Sequence, residues 1–260
     1  MVLLLLPIGL AVIFWGQVPF AALVALIVFL ATREYVALFQ HGGLPPAEPV
    51  LLGGAVALSL VHGFSVSDSP VLLGVIFFTA LVHLWDYEHG ASQSATQFAI
   101  TLAGSVYFGY LSAYLIRLRN LTGGAWWLLL VLISIWVADS AAYAAGKNFG
   151  RHLLSPRTSP KKTWEGYVGG VLGGALGGYG FAILFGHWHA AILPWHGILL
   201  GVVLAAITPL GDLTESLFKR QFGVKDSSNL LPGHGGMWDR IDSWLWAAPL
   251  GYYIITQWFL

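Results

Sequence analysis

The sequence predicts an all-α fold: a polytopic integral membrane bundle of about nine transmembrane helices. Three observations carry that prediction. Only 9% of the 260 residues are charged, against 57% apolar, whereas a soluble domain carries about 25% charged residues. The apolar residues come in long runs, and the mean hydropathy is +0.74. Tryptophan is abundant, with 12 residues, and often lies at segment ends, as do Trp15, Trp85, Trp126, Trp127, Trp195 and Trp258, where an amphipathic ring anchors a helix at the membrane interface. Helices are expected throughout, because backbone groups in lipid must be satisfied within the segment.

A span needs roughly 20 apolar residues, with about 17–25 tolerated. The candidates, in order, are about 2–16, 18–39, 47–65, 70–85, 95–116, 125–146, 165–186, 197–219 and 241–260, of which the first and fourth are short. The N-terminal stretch lacks the basic region of a signal peptide and reads as a retained first span. Gly16–Pro19 is a tight break that turns the first two spans into a hairpin, and His41–Pro49 and Ser65–Pro70 are loops. With the N-terminus inside, the inner side carries ten Lys and Arg residues: Arg33, Lys147, Arg151, Arg157, Lys161, Lys162, Lys219, Arg220, Lys225 and Arg240. The outer side carries two, Arg117 and Arg119. By the positive-inside rule, the polar loops 147–164 and 220–240 face the cytoplasm. Residues 1–120 form the N-terminal transmembrane helices. Residues 121–260 form the C-terminal catalytic helices with those polar loops, and the two parts make a single membrane-embedded unit.

Net charge is zero, and no nucleic-acid partner is expected. Absence of cysteine excludes disulfides and thiolate chemistry. In the seventh span, Gly166, Gly170, Gly174 and Gly178 recur every four residues, and Gly169, Gly173 and Gly177 form a second row. Small residues at this spacing let helix backbones approach closely in lipid. A phosphate-cradling loop is disfavoured, because no Gly-Lys-Ser/Thr follows.

Three polar patches could carry chemistry. Asp139, Ser140 and Tyr143 lie in the sixth span, followed by Lys147. An acid within a span is expensive and commonly functional, the alternative being a buried Asp satisfied by a neighbouring helix. The second patch, Ser159-Pro160-Lys161-Lys162-Thr163-Trp164-Glu165, combines two lysines with hydroxyls and an acid. Ser159 or Thr163 could equally cap the following helix. The third patch is the stretch from Thr208 to Asp242, which holds five of the twelve acids and four of the twelve Lys and Arg residues. In it, Asp212, Glu215, Ser216 and Lys219 fall on one helical stripe. After a glycine-rich turn around His234, Asp239, Arg240 and Asp242 open the last span. Carboxylates from two helices near a polar turn suit a hard cation such as magnesium, which leaves places for water and substrate phosphate. The surrounding Lys and Arg residues suit polyphosphate. His234 either hydrogen-bonds phosphate or is structural, and zinc is not expected, since no second His stands at ligand spacing.

Ser216-Leu217-Phe218-Lys219-Arg220, Lys225-Asp226, Leu231-Pro232-Gly233-His234-Gly235-Gly236 and Asp239-Arg240-Ile241-Asp242 together resemble the signature of phosphatidate cytidylyltransferases (CDP-diacylglycerol synthases). Asp139-Ser140, Tyr143, Gly146-Lys147 and the Ser159–Gly166 block resemble that family's other polar motifs. The first hundred or so residues resemble it only in being apolar spans. The resemblance implies that CTP and phosphatidic acid, taken from the cytoplasmic leaflet, give CDP-diacylglycerol and pyrophosphate. It implies a magnesium-dependent homodimer of the bacterial inner (plasma) membrane, with its site facing the cytoplasm. It further implies Asp212 and Asp239 as metal ligands, with potassium as a possible second ion. Lys219, Arg220 and Asp139 are candidates for the catalytic centre. Lys147, Ser159, Lys161, Lys162, Thr163, Glu165, Glu215, Ser216, Lys225, Asp226, His234, Arg240 and Asp242 are candidates for substrate binding.

A phosphate monoester has a second pKa near 6, so the lipid nucleophile is already anionic at neutral pH and needs no strong base. Charge neutralisation and positioning should therefore dominate. Two other classes fit less well. A CTP-dependent lipid kinase would release CDP rather than pyrophosphate. An ion-coupled transporter would place its acids nearer the bilayer midplane, in paired repeats. Asp239→Asn is expected to abolish turnover while leaving the protein folded in detergent. Near-normal activity of that variant with CTP and phosphatidic acid would remove the metal assignment.

Overall fold

The computed structural model describes residues 2–63, 67–228 and 235–260. Eleven α-helices account for most of them, and six helical segments are long and apolar enough to cross a membrane. These six are Gln17–His41, Asp68–Glu88, Ser94–Asn120, Gly124–Phe149, Trp164–Gly186 and Pro194–Gln221. The chain is thus an integral membrane protein of helical class. Three further apolar segments lie where spans were expected but are shorter. They are α1 (Val2–Trp15), α3 (Glu48–Leu60) and α11 (Trp238–Ile254), with 14, 13 and 17 residues. The fourth segment, expected to be short, is α4 (Asp68–Glu88), whose 21 residues run on through the polar end Asp86-Tyr87-Glu88.

Contacts divide the chain into two compact units, one of residues 1–117 and 221–241, the other of 118–220 and 242–260. In the first, α1 stops at Gly16, whose φ of 149° suits a residue without Cβ, and α2 (Gln17–His41) begins at once. The buried stripe of α2 runs Val24, Val28, Ala31, Tyr35, Leu38, Phe39, at the spacing of one helix face. α5 (Ser94–Gly104) and α6 (Leu111–Asn120) are one rod joined by a π-helical turn, Ser105–Tyr110. Gly109 in that turn lies against the α3 backbone, where a Cβ would meet the Ala55 carbonyl. Asp68 at the start of α4 pairs with Arg117 near the end of α6 at 2.8 Å.

The second unit is built around α8 (Trp164–Gly186), packed between α7 (Gly124–Phe149) and α9 (Pro194–Ile207). The row Gly169, Gly173, Gly177 faces α7, while the other row faces α7 at Gly166 and Gly170 and reaches α9 at Gly174 and Gly178. A Cβ on Gly169, Gly173 or Gly177 would meet Ala145, Ala141 or Val137 of α7. A Cβ on Gly174 or Gly178 would meet the carbonyl of Gly201 or Gly197 on α9. The helix is therefore packed within the protomer, and side chains are omitted where backbones touch. Hydroxyls within the helices are satisfied locally. Thr32, Thr79, Ser134, Thr208 and Thr256 each donate to the carbonyl four residues back, as apolar surroundings require. Among the expected interfacial tryptophans, Trp15, Trp85, Trp195 and Trp258 are exposed, but Trp127 is fully buried, its ring stacked on Phe259 and near His196.

The polar stretch 147–164 is not simply a loop. α7 continues to Phe149, and β1 (Leu153–Ser155) then pairs antiparallel with β2 (Ser159–Thr163). This small sheet is a correction to a purely helical reading. Its strands are too short to show an alternating pattern in the sequence. Thr163 caps α8, its hydroxyl accepting from Gly166 N at 3.1 Å.

Gly178→Leu should force α8 and α9 apart. Overpacking costs roughly 1–3 kcal/mol, and a chain of this size loses about 2–4 °C per kcal/mol, so a fall of roughly 2–12 °C in apparent Tm in detergent is expected. Gly180→Ala is the control, since nothing lies within 4 Å of a Cβ there, and its Tm should not fall, alanine being the better helix former. Equal Tm values for the two variants would refute the packing role.

Candidate active site

In the second unit one ammonium is paired with a carboxylate, and two further carboxylates interact electrostatically with that pair. α7 supplies Asp139, α10 (Pro209–Gln221) supplies Asp212, α11 supplies Asp242 and β2 supplies Lys162. Lys162 Nζ lies 2.6 Å from Asp212 Oδ2. Asp139 interacts electrostatically with Lys162 and Asp212, and Asp242 with Asp212, Asp139 and Lys162. The approach of α10 to α11 depends on Gly211, where a Cβ would meet the Asp242 carbonyl and the Trp246 ring. The hairpin sets Lys162 in place. Glu165, in the first turn of α8, accepts from the backbone N–H of Arg151 and His152 and pairs with His152 Nδ1 at 2.6 Å. That gives Glu165 a structural task at the base of the hairpin.

The predicted stripe on α10 splits in function. Asp212 is half-exposed, and Ser216 Oγ donates to its Oδ1 at 3.3 Å. One turn on, Glu215 and Lys219 are buried and paired at 3.0 Å. Arg220 Nε donates to the Thr158 carbonyl, tying α10 to the hairpin. Ser159 begins β2, and Lys161 is exposed beside the inward Lys162. Lys147 extends over the Tyr143 ring, with Nζ 6.0 Å from its centroid.

The first unit holds the other half of the signature. Asp239, near the start of α11, accepts on Oδ2 from Gly236 N (2.8 Å) and Ser227 N (3.1 Å), with Ser227 Oγ, which it shares with a second carboxylate, 2.7 Å away. Beside it is a residue that sequence reasoning overlooked. Glu34, on α2 and only 6% exposed, accepts from Ser228 Oγ, Met237 N, Ser227 Oγ and Trp238 N at 2.6–2.9 Å. Trp238 is fully buried, with its ring 5.1 Å from Phe108 and 5.7 Å from Tyr35. The signal for Glu34 was present: an acid within an apolar span, by the criterion that singled out Asp139. Its neighbour Arg33 drew attention as a topology charge instead. Lys225, Asp226 and Arg240 are exposed in this unit, and His234 lies outside the described residues.

Among the described residues, no three His, Asp or Glu side chains gather at metal-ligand spacing. The donors nevertheless fit magnesium, which takes one or two carboxylates and completes its shell with water and substrate phosphate. Asp139, Asp212 and Asp242 together carry more negative charge than Lys162 offsets, and all offer hard oxygen.

The whole chain matches known proteins. Residues 1–258 fit the model of the Cytidylyltransferase family. A phosphatidate cytidylyltransferase of Pseudomonas aeruginosa is 36% identical, with 95% of this chain and 92% of that protein covered. Proteins of the same name from Synechocystis sp. and Bacillus subtilis are 35% and 31% identical, covering 91% and 93% of this chain and 88% and 90% of theirs. With a match over almost its entire length, and relatives above 30% identity covered over most of theirs, the chain belongs to the cytidylyltransferase family.

Proposed function

We propose that the chain is a phosphatidate cytidylyltransferase, transferring CMP from CTP to phosphatidic acid with release of pyrophosphate. The observation that carries this is the pair of Lys162 and Asp212, with which Asp139 and Asp242 interact electrostatically, in a helical membrane protein. A catalyst joining two polyanions needs acids to hold a cation and bases to hold phosphates. The names of the relatives supply the nucleotide and the lipid.

A phosphate oxygen of phosphatidic acid attacks the α-phosphorus of CTP. The new P–O bond forms as the bond to the bridging oxygen of the β-phosphate breaks, and pyrophosphate leaves with that electron pair. The nucleophile is anionic at neutral pH, so no side chain has to remove a proton. Asp212 and Asp239 would be the ligands of magnesium, with Asp139 and Asp242 adding negative charge beside Asp212; the ion would supply charge neutralisation at the α-phosphate and at the leaving pyrophosphate, and potassium would be a second ion. Lys162, already on Asp212, presents positive charge to whichever phosphate enters beside that carboxylate. Lys161, Arg220 and Lys225 add positive charge for the rest of the polyphosphate. Lys219 acts from its pair with Glu215, which keeps its ammonium in one orientation. The site faces the cytoplasm, CTP arriving from water and phosphatidic acid sideways from the inner leaflet of the bacterial plasma membrane. The enzyme works as a homodimer.

Purified protein given CTP and phosphatidic acid should release pyrophosphate in the presence of magnesium and none after chelation. Release of CDP instead would identify a lipid kinase, and nucleotide-independent ion flux in sealed vesicles a transporter. Lys162→Gln should lower turnover by about 10²–10³-fold, the effect of removing one pre-organised electrostatic group, with Lys162→Arg retaining more. Unchanged turnover in Lys162→Gln would move the phosphates away from this cluster.

A further inference from the structure

We infer that Glu34 is the positioning residue for Asp239, acting through Ser227 and the turn that opens α11. This rests on the proposed function in one respect, that Asp239 is a cation ligand. Glu34 lies on α2, far from the signature in sequence, and nothing in the apolar pattern of α2 calls for an acid there. A buried carboxylate needs donors for its lone pairs, and Glu34 receives four. Met237 N and Ser228 Oγ bond to Oε1, and Trp238 N and Ser227 Oγ to Oε2. Two of these donors are N–H groups at the very start of α11, which have no partner within their own helix. A carboxylate there also meets the positive end of the helix dipole. The turn is shaped around it, since a Cβ on Gly236 would meet both Ser227 Oγ and Glu34 Oε2.

The link to Asp239 is the Ser227 hydroxyl, which lies 2.8 Å from Glu34 Oε2 and 2.7 Å from Asp239 Oδ2. A hydroxyl has one hydrogen and donates to one of them at a time. When Glu34 takes it, the Ser227 hydroxyl no longer competes for Asp239 Oδ2, which keeps its backbone donors, Ser227 N and Gly236 N. Glu34 holds Ser227, one of these backbone donors, and Met237-Trp238, which directly follow the other, Gly236. Glu34 thus sets both the direction of the Asp239 carboxylate and the competition for its oxygen. Outer partners of this kind govern metal affinity by about 10–100-fold.

Two variants test this. Glu34→Gln keeps the shape but replaces one accepting oxygen by a donor that faces donors. Ser227→Ala removes the shared hydroxyl and leaves Glu34 and both backbone donors in place. Mn²⁺ binding is read by electron paramagnetic resonance on detergent-purified protein without nucleotide, alongside the Mg²⁺ concentration for half-maximal pyrophosphate release and the KM for CTP. The expected result for Glu34→Gln is Mn²⁺ binding and Mg²⁺ half-saturation both weakened by about tenfold or more, with a smaller shift of the same sign in Ser227→Ala. A purely structural Glu34 would lower Tm and leave both cation readouts within about twofold of wild type, and that result overturns the inference. If Glu34→Gln does not fold, Ser227→Ala decides alone, and unchanged cation binding there overturns it. Absence of Mn²⁺ binding by the wild-type protein also overturns it. A wild-type protein that binds Mn²⁺ but makes no pyrophosphate from CTP and phosphatidic acid refutes the proposed reaction instead, and the comparison of Mn²⁺ affinities still decides the role of Glu34.

Discussion

A charge placed among apolar side chains needs an opposite charge or a set of hydrogen-bond donors close at hand, because the surroundings supply neither. That constraint organises both units of this protein. Lys219 and Glu215 are buried together, one helical turn apart. Glu34 is buried with four donors drawn from two other segments. Asp212 meets Lys162, and Asp68 meets Arg117. Each pairing also fixes the backbone that carries it, so the polar side chains act as joints. Ser227, Ser228, Gly236, Met237 and Trp238 are held in place by hydrogen bonds to Glu34 or Asp239.

Close packing of α8 provides the complementary device. Where α8 meets α7 and α9, glycine replaces side chains and the backbones touch. Lipid tails are as apolar as leucine, so burial of apolar surface alone does not select one helix neighbour over another, and shape must do so. Two glycine rows on adjacent faces let α8 serve two partners at once. This arrangement holds α7, and with it Asp139, in register with the hairpin that carries Lys162. Gly211 does the same at the α10–α11 approach, beside Asp212 and Asp242.

Much of the helical layout was legible in the linear pattern. Long apolar runs mark segments that must satisfy their own backbone, and the expected breaks at Gly16 and His41 fall where α1 and α2 end. The glycine periodicity announced a packed helix, and Thr163, one of two candidate caps, proved to be the cap of α8. The hairpin 153–163 was not legible, because strands of three and five residues leave no periodic trace. Of the site, Asp139, Lys162, Asp212 and Asp242 could each be picked out as polar residues at span ends. Their interaction with one another could not, since it joins positions up to a hundred residues apart.

Sequence by itself determined the helical membrane class, the family and the positions of the charged residues, because hydropathy, glycine spacing and motif order are properties of the chain read in line. Tertiary structure alone decided which charges meet. It paired Lys219 with Glu215, turned Glu165 to the support of the hairpin, set Lys162 among the acids and revealed Glu34 as the partner of the turn that carries Asp239. The reason is physical: hydrogen bonds and ion pairs act over about 3 Å, and only folding brings residue 34 within that distance of residues 227 and 238.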